Sequence, residues 1–222
     1  MMNLQRMALA LAFTSMGLAS CGGDGNGSAP PITYTTQIQS DPTYDGDIAL
    51  TLPNTYTVTR GMSSTVQSVF AGIDPVSGDE YRTFLDFQLT GSGGVPGNAF
   101  IESAFLDIYI NGLQPTVGTL PILIELVSFQ PPNLIGTDYD RTVQPPLASL
   151  LVTPDFGQSD VATNVSIDVT SLMIKAQQLG LVDFQVRIME DVGPAIALLM
   201  EINDTTGSNR ATLAPLLTVT YH

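Results

Sequence analysis

Residues 81–112, YRTFLDFQLTGSGGVPGNAFIESAFLDIYING, commit this chain to β-structure. Tyr81, Thr83, Leu85, Phe87 and Leu89 fall on one side of an extended segment, and Arg82, Asp86, Gln88 and Thr90 on the other. After the glycine-rich stretch, Ala104, Leu106, Ile108 and Ile110 alternate with Ser103, Asp107 and Tyr109. A period of two puts one face of each strand in a core and the other in water. Phe84 and Phe105 stand on the nominally wet faces, which predicts that those faces are partly covered. The spacing reads as two long strands joined in a hairpin by GSGGVPG.

The rest of the chain repeats the signal in shorter pieces. Strands are expected at residues 32–38, 48–52, 55–59, 65–73, 120–129, 147–152, 165–169, 183–190, 195–203 and 213–221, separated by Gly, Pro, Asn and Asp. Many short strands with such punctuation predict an all-β sandwich or barrel. One segment differs. In residues 170–180, TSLMIKAQQLG, Leu172, Met173, Ala176 and Leu179 recur at helical spacing with Val169. Thr170 suits the helix start and Gly180 the left-handed position after its end. This predicts a short amphipathic helix that plugs one end of the β body.

The N-terminus reads as an export signal. Arg6 precedes an apolar run that ends at Leu18-Ala19-Ser20-Cys21-Gly22. This junction resembles the lipobox of bacterial lipoproteins, and Cys21 is the chain's sole cysteine. The resemblance implies a signal peptide at 1–20, acylation of Cys21, and a lipid bilayer as the first partner. The absence of Asp after the cysteine favours the outer membrane or cell surface. Residues 22–31, GGDGNGSAPP, then form a tether reaching about 35 Å at full stretch, and residues 32–222 form a single domain. Removing residues 1–20, which carry Arg6 and no acid, leaves six basic and 21 acidic residues, a formal charge of −15. That surface excludes nucleic acid as a partner.

Three blocks together resemble the DNRLRE-type domains of bacterial surface proteins, relatives of carbohydrate-binding modules. They are YRTFLDFQL with the IESAFLDIYI strand, then Asp168-Val169-Thr170-Ser171-Leu172, then the terminal Pro215-Leu216-Leu217-Thr218-Val219-Thr220-Tyr221. The resemblance implies a jelly-roll β-sandwich of two antiparallel sheets with a non-catalytic binding role, polysaccharide being the expected ligand. The chain departs from the pattern at Gln88, where the family carries an acid, and in having no tryptophan. Tyrosine would then supply the sugar-stacking platform.

The residues restrict the chemistry further. The sole histidine is the terminal His222, so histidine-dependent nucleophilic catalysis and zinc sites of the His/Cys kind are excluded. Carboxylates remain. The long Pro-rich stretch 130–146 carries Asp138, Tyr139, Asp140 and Arg141, the expected ligand-binding residues. Arg141 is expected to pair with Asp140 or with an acidic or sugar ligand. Arg82 and Arg187 are expected to form ion pairs on the sheet faces. Asp41, Asp45 and Asp47 form an acidic loop cluster able to hold calcium, or alternatively serve as ordinary turn residues. A structural or assembly protein of the envelope, contacting other proteins through strand edges, is the alternative function. A hydrolase using Asp138 and Asp140 is a distant third.

Overall fold

The computed structural model describes residues 30–61, 67–129, 134–191 and 197–222. Thr33–His222 is one compact unit. Along it run β1 (Tyr34–Gln39), β2 (Gly46–Thr51), β3 (Thr55–Arg60), β4 (Ser68–Ile73), β5 (Glu80–Gln88), β6 (Ile101–Gln114), β7 (Thr119–Leu120), β8 (Ile122–Val127), β9 (Ala148–Leu151), β10 (Phe156–Gly157) and β11 (Asn164–Asp168). Helix α1 (Thr170–Gln178) follows, then β12 (Asp183–Glu190), β13 (Leu199–Asn203), the short α2 (Arg210–Leu213) and β14 (Leu216–Tyr221). Twelve of the strands form one curled antiparallel sheet, and β7 pairs with β10 in a small second one. Among the described residues, no helix is long and apolar enough to cross a membrane.

The hairpin expected at residues 81–112 does not form. β5 pairs with β2, β4 and β12, whereas β6 pairs with β14, β11 and β13. The two strands contribute instead to one core, where Leu85 and Phe87 lie in the same cluster as Leu106, Ile108 and Ile110. Alternation tells a strand which face to bury, but says nothing about which neighbour takes its edge. The expectation of two separate sheets is also altered, because β6 joins the layers. Its first half pairs with β14 and its last residues with β13. Bulges opposite Thr220/Tyr221 and Glu201/Ile202 shift its phase at both ends. Ile101 and Leu113 therefore turn inward along with Ala104, Leu106, Ile108 and Ile110. A bulge bends and twists its strand, so one continuous sheet can wrap its own core.

β5 is buried on both faces. Its core face carries Leu85 and Phe87, and its outer face carries Arg82, Phe84 and Asp86, all of them buried. Phe84 belongs to a second cluster with Ile48, Val127, Phe129, Leu134 and Tyr139. The segment after Leu134 covers that outer face. Phe105, by contrast, remains 38% exposed. Helix α1 buries Leu172, Met173 and Ala176 against the main core. Its start is set by Asp168, whose Oδ1 accepts the Thr170 N–H at 2.9 Å. Thr170 is the first helical residue, and its hydroxyl instead accepts the Ala104 N–H. Gly180 does take the left-handed conformation after the helix, at φ +65°.

Gly72 lies where β4 meets both β13 and β5. Its φ is +109°, and an added Cβ would drive into the Leu198 carbonyl. Gly72→Ala is expected to cost about 2 kcal/mol or more. Gly78 also has a positive φ, +77°, but open space around it. Gly78→Ala should therefore cost only about 1 kcal/mol. Thermal unfolding of the two variants separates steric from purely conformational cost; equal losses would remove the steric account.

Candidate ligand-binding groove

The curled sheet leaves two strand edges near one another. β9 ends the sheet beyond β8, and β11 pairs with β6 alone among the described strands. Between them lies an open groove of about 600 Å³, closed at one side by α1. This volume suits a small ligand or a short stretch of a polymer. Val152, Phe156 and Ile167 form an apolar, buried floor. Leu151, Val165 and Ile174 add apolar wall, and Leu151 is 49% exposed. The polar lining comes from Thr153, Asp160, Ser166, Asp168, Thr170 and Ser171.

Local chain geometry fixes the two carboxylates. Asp160 Oδ2 accepts the Gly157 N–H at 2.8 Å across a turn of 3₁₀ helix. Asp168 ends β11 as α1 begins. The Thr170 hydroxyl and N–H beside it hold the Asp168 carboxyl below the usual carboxylate range. Asp168 is therefore ionised at neutral pH. Among the described residues, no lysine, arginine or histidine lines the groove. Carboxylates and hydroxyls over an apolar floor can hydrogen-bond sugar hydroxyls while packing against C–H faces. An anionic ligand would meet like charge.

The residues singled out by sequence lie elsewhere. Asp138, Tyr139, Asp140 and Arg141 lie in and just after a single turn of 3₁₀ helix, Gly136–Tyr139, that covers the outer face of β5, β8 and β12. Asp138 Oδ2 accepts the Ile135 N–H, and burial pushes its carboxyl up. Tyr139 is 4% exposed. The Arg82 guanidinium lies 3.8 Å from its ring centroid, and Tyr56 packs against it at 5.3 Å. The ring expected to stack on sugar is thus a core residue in this arrangement. Asp140 Oδ1 accepts from the N–H and hydroxyl of Thr142. Arg141 pairs not with Asp140 but with Glu125, at 2.6 Å. Glu125 is fully buried and also pairs with Arg187, while Arg82 pairs with Glu80. The expected ion pairs of Arg82 and Arg187 are therefore present.

The three aspartates expected to hold calcium point to different partners. Asp41 Oδ1 caps its own turn through the Thr43 N–H, and Asp47 Oδ2 accepts the Phe70 N–H. Asp45 Oδ1 accepts the Asp86 N–H. Among the described residues, no group of three His, Cys, Asp or Glu could hold a metal. Cys21 and the greater part of the tether lie outside the described residues.

The groove residues went unnoticed in sequence because Leu151, Asp160 and Asp168 lie in separate segments that only the curl of the sheet brings together. The Asp168-Val169-Thr170-Ser171 run was the one available signal, and it reads locally as a turn into a helix. No protein-family model matches the sequence, and no curated protein does either.

Proposed function

We propose that this chain is a cell-envelope lipoprotein, anchored in the outer membrane through acylated Cys21, whose non-catalytic β body binds a neutral polysaccharide in the β9–β11 groove. We read the curled sheet as a jelly roll of the DNRLRE type. The observation that carries the ligand class is the groove lining, which among the described residues has two carboxylates and four hydroxyls over an apolar floor and no basic group. The three resembling sequence blocks support the same class, and the second of them supplies Asp168, Thr170 and Ser171 to the groove.

Protein starting at Gly22, screened on a broad glycan array, is expected to retain neutral glycans and not polyanionic ones. A charge-assisted hydrogen bond contributes about 1.5–3 kcal/mol, so Asp168→Ala should weaken the best binder about tenfold or more, while loss of the bond to the Thr170 N–H costs only about 1 kcal/mol of stability. An array without binders, or affinity unchanged by Asp168→Ala and Asp160→Ala, would refute the reading.

A second reading has its own support. The strand edges of β9 and β11 flank the groove, with Leu147 and Leu151 exposed beside them. Such edges can accept a strand from another protein. Crosslinking in cells that yields one dominant protein adduct through the β9 edge would favour an assembly role.

A further inference from the structure

Away from the groove, two buried carboxyl groups face one another. Asp45 closes the loop between β1 and β2, and Asp204 directly follows β13. Both are fully buried. Asp45 Oδ1 accepts the Asp86 N–H at 2.8 Å, and Asp204 Oδ1 lies 3.3 Å from Arg210 Nη1. The other two oxygens, Asp45 Oδ2 and Asp204 Oδ2, receive no donor of proper hydrogen-bond geometry. Each carboxyl has the other beside it, and the Ser40 hydroxyl also lies next to Asp45.

Gly61 borders the same spot. A methyl group at its Cα would lie 2.5 Å from Asp204 Oδ2, 3.1 Å from the Pro42 carbonyl oxygen and 3.4 Å from that of Asp45. Those are its three nearest neighbours, and all are oxygens. At Gly46 the corresponding position meets one carbonyl oxygen, a leucine methyl and a Cα, so only one of its three neighbours is an oxygen. The surroundings are acidic as well. The charge of Asp41 reaches both Asp86 and Asp204, with Arg210 as the neighbouring cation.

We propose that Asp45 and Asp204, with the carbonyls of Pro42 and Asp45, form a binding site for a divalent cation of the calcium class. A hard cation takes carboxylate, carbonyl and water oxygens, in sets of six to eight for calcium. Two carboxylates balance its charge, which offsets the cost of burying Asp45, whose carboxyl, unlike that of Asp204, has no ion-pair partner among the described residues. The ion would tie the β1–β2 loop to the connection after β13. A proton shared between the two carboxyl groups is the competing occupant.

The full chain, stripped with EDTA and held at pH 7.5, is to be titrated with calcium chloride. Calorimetry should show one ion per chain, with a Kd of about 10⁻⁴–10⁻³ M as in extracellular calcium modules. At 10 mM calcium the melting temperature should rise by about 5 °C. Hydrogen exchange on the unsubstituted chain should show calcium-dependent protection at residues 40–46 and 203–206. Asp45→Asn and Asp204→Asn should each abolish the heat and the thermal shift. Asp74→Asn, which alters a carboxylate bonded to an exposed turn, should retain both. A shared proton predicts no heat, no shift, and an Asp45→Asn variant at least as stable as the parent. That outcome overturns the proposal, as does protection appearing elsewhere or a shift that survives both substitutions.

Discussion

Arg187→Met is expected to lower unfolding stability at pH 7 by about 3–5 kcal/mol, the cost of breaking a buried ion pair from one side. Arg187 is fully buried, and its Nε and Nη2 donate to Glu125 Oε2 at 2.8 and 2.5 Å. Its remaining donors reach the carbonyls of Asp138, at 2.8 Å, and Gln144, at 3.1 Å. One side chain thus neutralises a buried carboxylate and pins the segment that covers the outer face of β12. Methionine fills comparable space but donates nothing. Glu125 would keep only the half-exposed Arg141, and two carbonyls would lose their donor. Urea unfolding should show the loss, and limited proteolysis should cut first within residues 134–146. Arg187→Met combined with Glu125→Leu should recover a large part of the stability, because no unpaired charge is left behind. A single variant that unfolds at the parent's urea concentration would show that the pair is not what holds this face.

In EDTA the protein is expected to lose stability as pH rises from about 4.5 to 7.5, opposite to the usual behaviour of salt-bridged carboxylates. Burial pushes Asp47 from 3.8 up to about 7, against the opposing Phe70 N–H and Thr59 hydroxyl. Burial, with the Glu80 charge adding to it, pushes Glu190 from 4.5 up to about 7. Asp86 is pushed up to about 6, mainly by burial and with Asp183 and Asp41 adding to it. In the unfolded chain these groups release their protons near pH 4. The folded chain therefore holds more protons across this window, and stability falls with rising pH. Their contribution is fully present below the unfolded values and is lost as pH climbs through the folded ones. For Asp47 alone, at 1% exposure, the difference is on the order of 4 kcal/mol. The melting temperature in EDTA should be about 10 °C lower at pH 8 than at pH 5. Asp47→Asn keeps an oxygen for the Phe70 N–H and should flatten the slope while raising stability at pH 8. A melting temperature that climbs with pH would contradict the burial of these groups as uncompensated acids. The lowered Asp74, Asp140 and Asp168 carboxyls, the first two half-buried and the third exposed, act only below about pH 4.

Sequence by itself determined the local elements. The residues expected at 183–190 are the observed Asp183–Glu190, and the expected helix at 170–180 appears as Thr170–Gln178. Period-two alternation, helical spacing and turn residues depend on a few neighbours, so they survive without tertiary information. Tertiary structure decided what those elements face. Phe84 and Arg187 look alike in pattern, each on a nominally wet side, yet one enters a second apolar cluster and the other a buried ion pair. Tyr139 reads as an open aromatic in a loop and is instead packed under Arg82. The groove between β9 and β11, and the meeting of Asp45 with Asp204, join residues far apart in sequence. Burial and pairing across such distances depend on how a twisted, bulged sheet closes on itself, and alternation along a single strand carries no record of that.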